Sequence, residues 1–102
     1  MGYFQAGLAL SNLSMGRYED ALEWADQSLR RLPDYIAALR TKAIACVQLQ
    51  RIEEARELIE HLLKRRPDIT IARWKHTGLR DLPADILEIQ LDSLRLAGVP
   101  ER

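Results

Sequence analysis

Apolar residues return three and four positions apart along this chain, in blocks separated by glycine or proline, which is the spacing of one helix face. Phe4, Leu8, Leu10 (or Ala9) and Leu13 predict a helix from Gly2 to Met15, broken by Gly16. A second helix is predicted from Tyr18 to Arg31. Glu19 and Asp20 sit in its first turn and Arg30 and Arg31 in its last, matching both ends of the helix dipole. Pro33 stops it, and Asp34 is placed to cap the next helix. That third helix runs from Tyr35 to Leu49, with Ile36, Leu39, Ala43, Cys46 and Val47 near one stripe. A fourth, from Ile52 to Arg65, again leads with acids (Glu53, Glu54) and closes with bases (Lys64, Arg65, Arg66). Pro67 and Asp68 repeat the stop-and-cap pair. Ile69 to Ala72 open a further helix that Gly78 interrupts, and Pro83 to Ala97 form the last. Its stripe is Ile86, Leu87, Leu91 and Leu94, with Asp85, Glu88, Asp92 and Arg95 opposite; Gly98 and Pro100 end it.

The blocks are copies. Within the run from Gly16 to Asp34, the residues Tyr18, Glu19, Asp20, Ala21, Ala25, Leu29, Pro33 and Asp34 are matched thirty-four residues later by Ile52, Glu53, Glu54, Ala55, Ile59, Leu63, Pro67 and Asp68. A period of that length marks stacked helical hairpins, each burying its apolar face against its neighbours. The expectation is an all-α chain forming a single domain over 1–102. Residues 2–34 are a first unit, 35–68 a second, 69–80 a degenerate third, and 83–97 a capping helix.

Composition narrows the function. The 102 residues suffice for one small domain. Fifteen acidic and fifteen basic side chains cancel, which argues against nucleic acid or an anionic membrane as the partner of the whole molecule. Cys46 is the single cysteine, so no internal disulfide forms and a reducing cytoplasm is the expected setting. Met1 to Leu13 has no basic leader and does not read as a signal peptide. No apolar run approaches the roughly 18 residues that span a bilayer.

Leu8, Ala9, Gly16, Tyr18, Ala21, Leu29 and Pro33, with Ala43, Ala55, Leu63 and Pro67, resemble the tetratricopeptide repeat. The resemblance covers Gly2 to Ala72 and implies antiparallel hairpins stacked as a short right-handed superhelix. Gln5 stands where that family often has a large aromatic, and Lys42 where it has leucine. The tail, through Leu82, Pro83, Leu94, Arg95, Ala97, Gly98, Pro100 and Glu101, is similar to the C-terminal end of repeat regions in bacterial signalling proteins. Those include class III adenylate or guanylate cyclases and winged-helix regulators. The implied role is a non-catalytic protein-interaction scaffold, the C-terminal accessory part of such a protein.

In that family the first helix of each hairpin lines a concave groove. At matching positions the partner-binding groove here is Tyr3, Leu10, Leu13, Ala37, Arg40, Thr41, Ile44, Val47, Gln48, Trp74 and Lys75. Its lining is largely apolar with Arg40 as a fixed charge, which suits an amphipathic or extended peptide. The alternative is a structural module whose groove is filled by its own chain or a second copy. Leu10 and Ile44 occupy the places where a carboxylate clamp needs asparagine, so no clamp is expected.

Other candidates are weaker. Lys64, Arg65, Arg66, Arg73, Lys75 and Arg80 surround Trp74, a pattern that can track phosphates but more often is a solvated helix end. His61 and His76 lack metal-ligand spacing with Cys46 or a carboxylate pair, so no metal and no cofactor is expected. Acid pairs at helix starts are explained by the dipole, and no phosphate loop or nucleophile arrangement supports catalysis. Trp24, whose repeat mate is Leu58, reads as packing between units. Met1, Tyr3 and Phe4 open the first helix without a polar cap, which predicts that the chain is a fragment or self-associates through the N-terminal hairpin, most simply as a symmetric dimer.

Overall fold

The computed structural model describes residues 2–77, 79 and 81–102. Met1, the interrupting Gly78 and Arg80 of the basic cluster lie outside the described residues. Six helices follow one another: α1 (Gly2–Ser14), α2 (Tyr18–Arg31), α3 (Ile36–Gln48), α4 (Ile52–Arg65), α5 (Ile71–His76) and α6 (Ala84–Ala97). No strand occurs among the described residues. The fold is all-α, with stacked hairpins, as the periodicity requires.

The thirty-four-residue period is visible in the backbone itself. Arg17 N–H donates to the Asn12 carbonyl at 2.9 Å, and Arg51 N–H to the Cys46 carbonyl at 2.7 Å. Leu32 N–H donates to Ser28 and Arg66 N–H to Leu62, both at 2.8 Å. Each hairpin turns through one left-handed residue, Gly16 at φ 76° and Gln50 at φ 66°. Glycine takes that conformation freely, whereas glutamine carries a Cβ penalty. Inside the hairpins, Ala9, Ala21, Ala43 and Ala55 are all fully buried. Side chains this small let helix axes approach without voids.

Two capping expectations are corrected. Helix α3 starts one residue later than the pattern predicts, with Tyr35 at its N-cap and no side-chain cap bond. Asp34 therefore falls outside the capping position. It accepts a bond from Arg65 Nη1 of α4 at 2.7 Å and lies 3.5 Å from His61 Nε2. Likewise Thr70, not Asp68, caps α5, its Oγ1 accepting from Arg73 N–H at 3.1 Å. Asp68 is taken up by Arg66 and Arg73, each at 3.3 Å. Lys42 does not simply extend into water: its ammonium meets Asp26 of α2 at 2.6 Å.

Beyond α4 the repeat changes character. Helix α5 has only 6 residues, and α6 forms the next layer, packing more on α3 than on α4, whereas α3 packs more on α2 than on α1. Gly98, at φ 106°, ends α6, and Val99 N–H returns to the Leu94 carbonyl at 3.0 Å. The tail then folds back. The carbonyls of Pro100 and Glu101 accept from Ile71 and Ala72 N–H at 2.8 and 3.0 Å, satisfying amides that a helix start leaves free.

Candidate functional site: a cleft between the first and last helices

The concave positions of the second unit are covered by the chain's own C-terminal part. Thr41, Ile44 and Val47 of α3 are buried. Gln48 Nε2 donates to Ser93 Oγ of α6 at 2.7 Å, and Ser93 Oγ donates onward to the Ile89 carbonyl at 2.9 Å. Arg40 is buried with its guanidinium 5.3 Å from the centroid of the Trp74 ring, a cation–π contact that brings α5 onto α3. Burial pushes the Arg40 guanidinium below its ordinary value, and Tyr35 opposes this. Its Nε has no hydrogen-bond partner among the described residues. Arg40 is thus a packed side chain under Trp74.

The remaining expected groove residues divide. Tyr3 is exposed and meets Tyr35 edge-on, ring centroids 5.0 Å apart. Leu10 and Ala37 are half-buried, and Lys75 is exposed. Leu13 is buried and, with Ile44, belongs to a cleft that stays open where α6 leaves α1 uncovered. That cleft has a volume of about 210 Å³ and is lined by Leu13, Ser14, Met15, Gly16, Tyr18, Ile44, Ile86, Ile89 and Gln90. Its rim is apolar: Met15 is 58% exposed and Ile89 47%. Its wall holds Gln90, only 2% exposed, with neither the carboxamide nitrogen nor the oxygen hydrogen-bonded among the described residues.

Of the residues lining this cleft, Leu13 and Ile44 belong to the groove that the repeat resemblance implies, and the others do not. Ile86 was visible on the α6 stripe. Ile89 was the available signal for the rim, a large apolar residue standing off that stripe. Gln90 carried none, because a glutamine beside Leu91 reads as the start of the polar face.

Other groups are accounted for by packing. The Cys46 thiol donates to Glu54 Oε2 at 3.4 Å, and burial first, then that bond, pushes it up to about 12. Partial burial works to raise the Glu54 carboxyl, but the Cys46 thiol and Arg51 guanidinium outweigh it and hold the carboxyl below its usual range. In the basic region Lys64 meets Glu60 at 3.5 Å and Arg65 meets Asp34 at 2.7 Å. Bonds from Arg66 hold the Asp68 carboxyl low. Trp74 is buried against Arg40, so its ring is engaged within the chain. Trp24 is half-buried. No group of three His, Cys, Asp or Glu side chains that could hold a metal occurs among the described residues. No helix among them is long and apolar enough to cross a membrane.

Stacked hairpins with a concave side and an apolar cleft define a helical-repeat scaffold, a class that presents surfaces to other proteins. Residues 12–76, more than half of the chain, match the family model of the tetratricopeptide repeat. The chain belongs to that family, whose repeats are generally non-catalytic scaffolds. No curated protein and no solved structure matches the chain.

Proposed function

We propose that this chain is a non-catalytic interaction module that holds an apolar segment of a partner protein in the cleft between α1 and α6. The observation that carries the reading is the pair Met15 and Ile89. Both are large, apolar and about half exposed on the rim of one concavity whose base is Leu13 and Ile44. Scattered exposed apolar residues need no explanation, but a clustered set around a concavity does.

The test is a displayed peptide library panned against the chain, with Met15→Glu and Ile89→Glu as controls. Ile44→Glu, the natural choice from sequence, unfolds the protein because Ile44 is 1% exposed. Recovered peptides are expected to carry a large apolar residue and to bind at least about tenfold more weakly to either rim variant, with the melting temperature unchanged. Peptides indifferent to both charges contradict the assignment.

The same reading places the module in the cytoplasm, at the C-terminal accessory end of a bacterial signalling or regulatory protein. The support is the tail resemblance together with the single, buried, hydrogen-bonded thiol of Cys46. A second reading is self-association through the N-terminal hairpin. Tyr3 and Phe4, 66% and 63% exposed on α1, favour it. Light scattering at tens of micromolar decides it: a strict monomer removes the dimer and leaves the cleft untouched.

A further inference from the structure

The geometry points to Gln90 as a reader of peptide backbone: its carboxamide pairs with the N–H and C=O of an extended, uncharged partner segment whose apolar side chain enters the α1–α6 cleft. The inference rests on the cleft being the binding site and specifies what enters it.

A carboxamide carries donors on nitrogen and an acceptor on oxygen. Both ends of Gln90 are buried and neither is bonded among the described residues. Native interiors seldom leave such groups unpaired, because each one forfeits its hydration without return. The hydroxyl nearest along the same helix is already engaged. Ser93, one turn along α6, gives its proton to the Ile89 carbonyl and accepts from Gln48. Around Gln90, Ile44, Ile86 and Ile89 are apolar, and the two hydroxyl residues that line the cleft, Ser14 and Tyr18, make no hydrogen bond to its carboxamide.

An adjacent donor and acceptor are matched by a peptide group. Helical segments have spent theirs on their own ladder, so the occupant is extended. A charged side chain would lose its hydration against Leu13 and Ile44 without finding a counter-ion, so the residue that enters is apolar. A bound segment of this kind would also cover Met15 and Ile89.

The test uses the full chain and acetyl-Gly-Leu-Gly-amide as probe, with the same tripeptide methylated at the leucine nitrogen as its comparator. Methyl and side-chain amide resonances are followed during titration. The expected result is that the parent tripeptide shifts both the Ile44 and Ile89 methyls and the Gln90 carboxamide. The methylated one should bind about tenfold more weakly, the effect of one lost hydrogen bond of about 1.4 kcal/mol. Gln90→Met keeps the volume and removes both polar atoms. It is expected to melt higher than the parent, by about 5 °C, and to bind the two tripeptides equally.

Equal binding of both tripeptides to the unaltered chain, with methyl shifts present, overturns the backbone role and leaves the cleft as an apolar binding site. A Gln90→Met protein that melts lower and still discriminates also overturns it. Absence of any methyl shift at millimolar probe overturns the cleft as well.

Discussion

Replacing Leu94 by alanine probes how tightly α6 is held. Leu94 is 0% exposed and belongs to the common core, together with Leu91 and Ala97 of the same helix. The substitution removes three carbons, worth about 2.4 kcal/mol at about 0.8 kcal/mol each. The cavity left behind adds to this, giving about 2.7–5 kcal/mol in all. A domain of this size has about 5–15 kcal/mol in total, so the loss is a large fraction of it. Helix α6 has 14 residues and would be marginal alone, so weakening its dock also lowers its helicity. The control lies two residues away. Leu96 is 54% exposed, and Leu96→Ala, the same chemistry on the same helix, should change stability by no more than about 0.5 kcal/mol. Urea unfolding followed by circular dichroism measures both. The expected result is a midpoint far lower for Leu94→Ala and almost unmoved for Leu96→Ala. Equal effects would refute the reasoning, because they would mean that burial on α6 does not decide its energetics.

Four further outcomes follow from the repeat and its interior. Gln50→Gly should raise stability by up to about 1 kcal/mol, relieving the left-handed strain at φ 66° less the entropy that glycine adds to the unfolded chain. Gly16→Ala at φ 76° should lower it by about 1 kcal/mol or more, and denaturant midpoints check both. Ala55→Leu, at a fully buried position inside the second hairpin, should cost about 1–3 kcal/mol by forcing the helix axes apart, read as a lower melting temperature. For Cys46, the folded value of about 12 exceeds the ordinary 9.0. Between those values the folded state keeps a proton that the unfolded chain has released, so stability falls as pH rises from 9.0 toward about 12. Cys46→Ala should flatten that part of the pH–stability curve, and a slope unchanged by the substitution would contradict the shift.

Much of this fold can be read from residue order because each unit solves its local problems in the same way. Tyr18–Arg31 and Ile52–Arg65 are observed with the bounds that their acids, bases and prolines predict. The small residues Ala21 and Ala55 are buried as the spacing demands. What escaped is non-local. Asp34 is a plausible cap by position, and only the folded chain brings Arg65 to it from α4. Arg40 falls at a position that the repeat resemblance assigns to the groove, and in the folded chain Trp74 of α5 packs against it. The cleft is the clearest case. Its base comes from two repeat units and its wall from α6, which lies outside their period, so no pattern in the chain could announce it.

The last helix lies across the second unit and leaves the first unit's side open. Nuclear Overhauser spectroscopy on the full chain measures this at one contact. The Gln48 carboxamide protons should show strong cross-peaks to the Ser93 β-protons, as the 2.7 Å bond between them requires. A helical α6 whose Ser93 shows no cross-peak to Gln48 would contradict the claim and reopen the whole concave face.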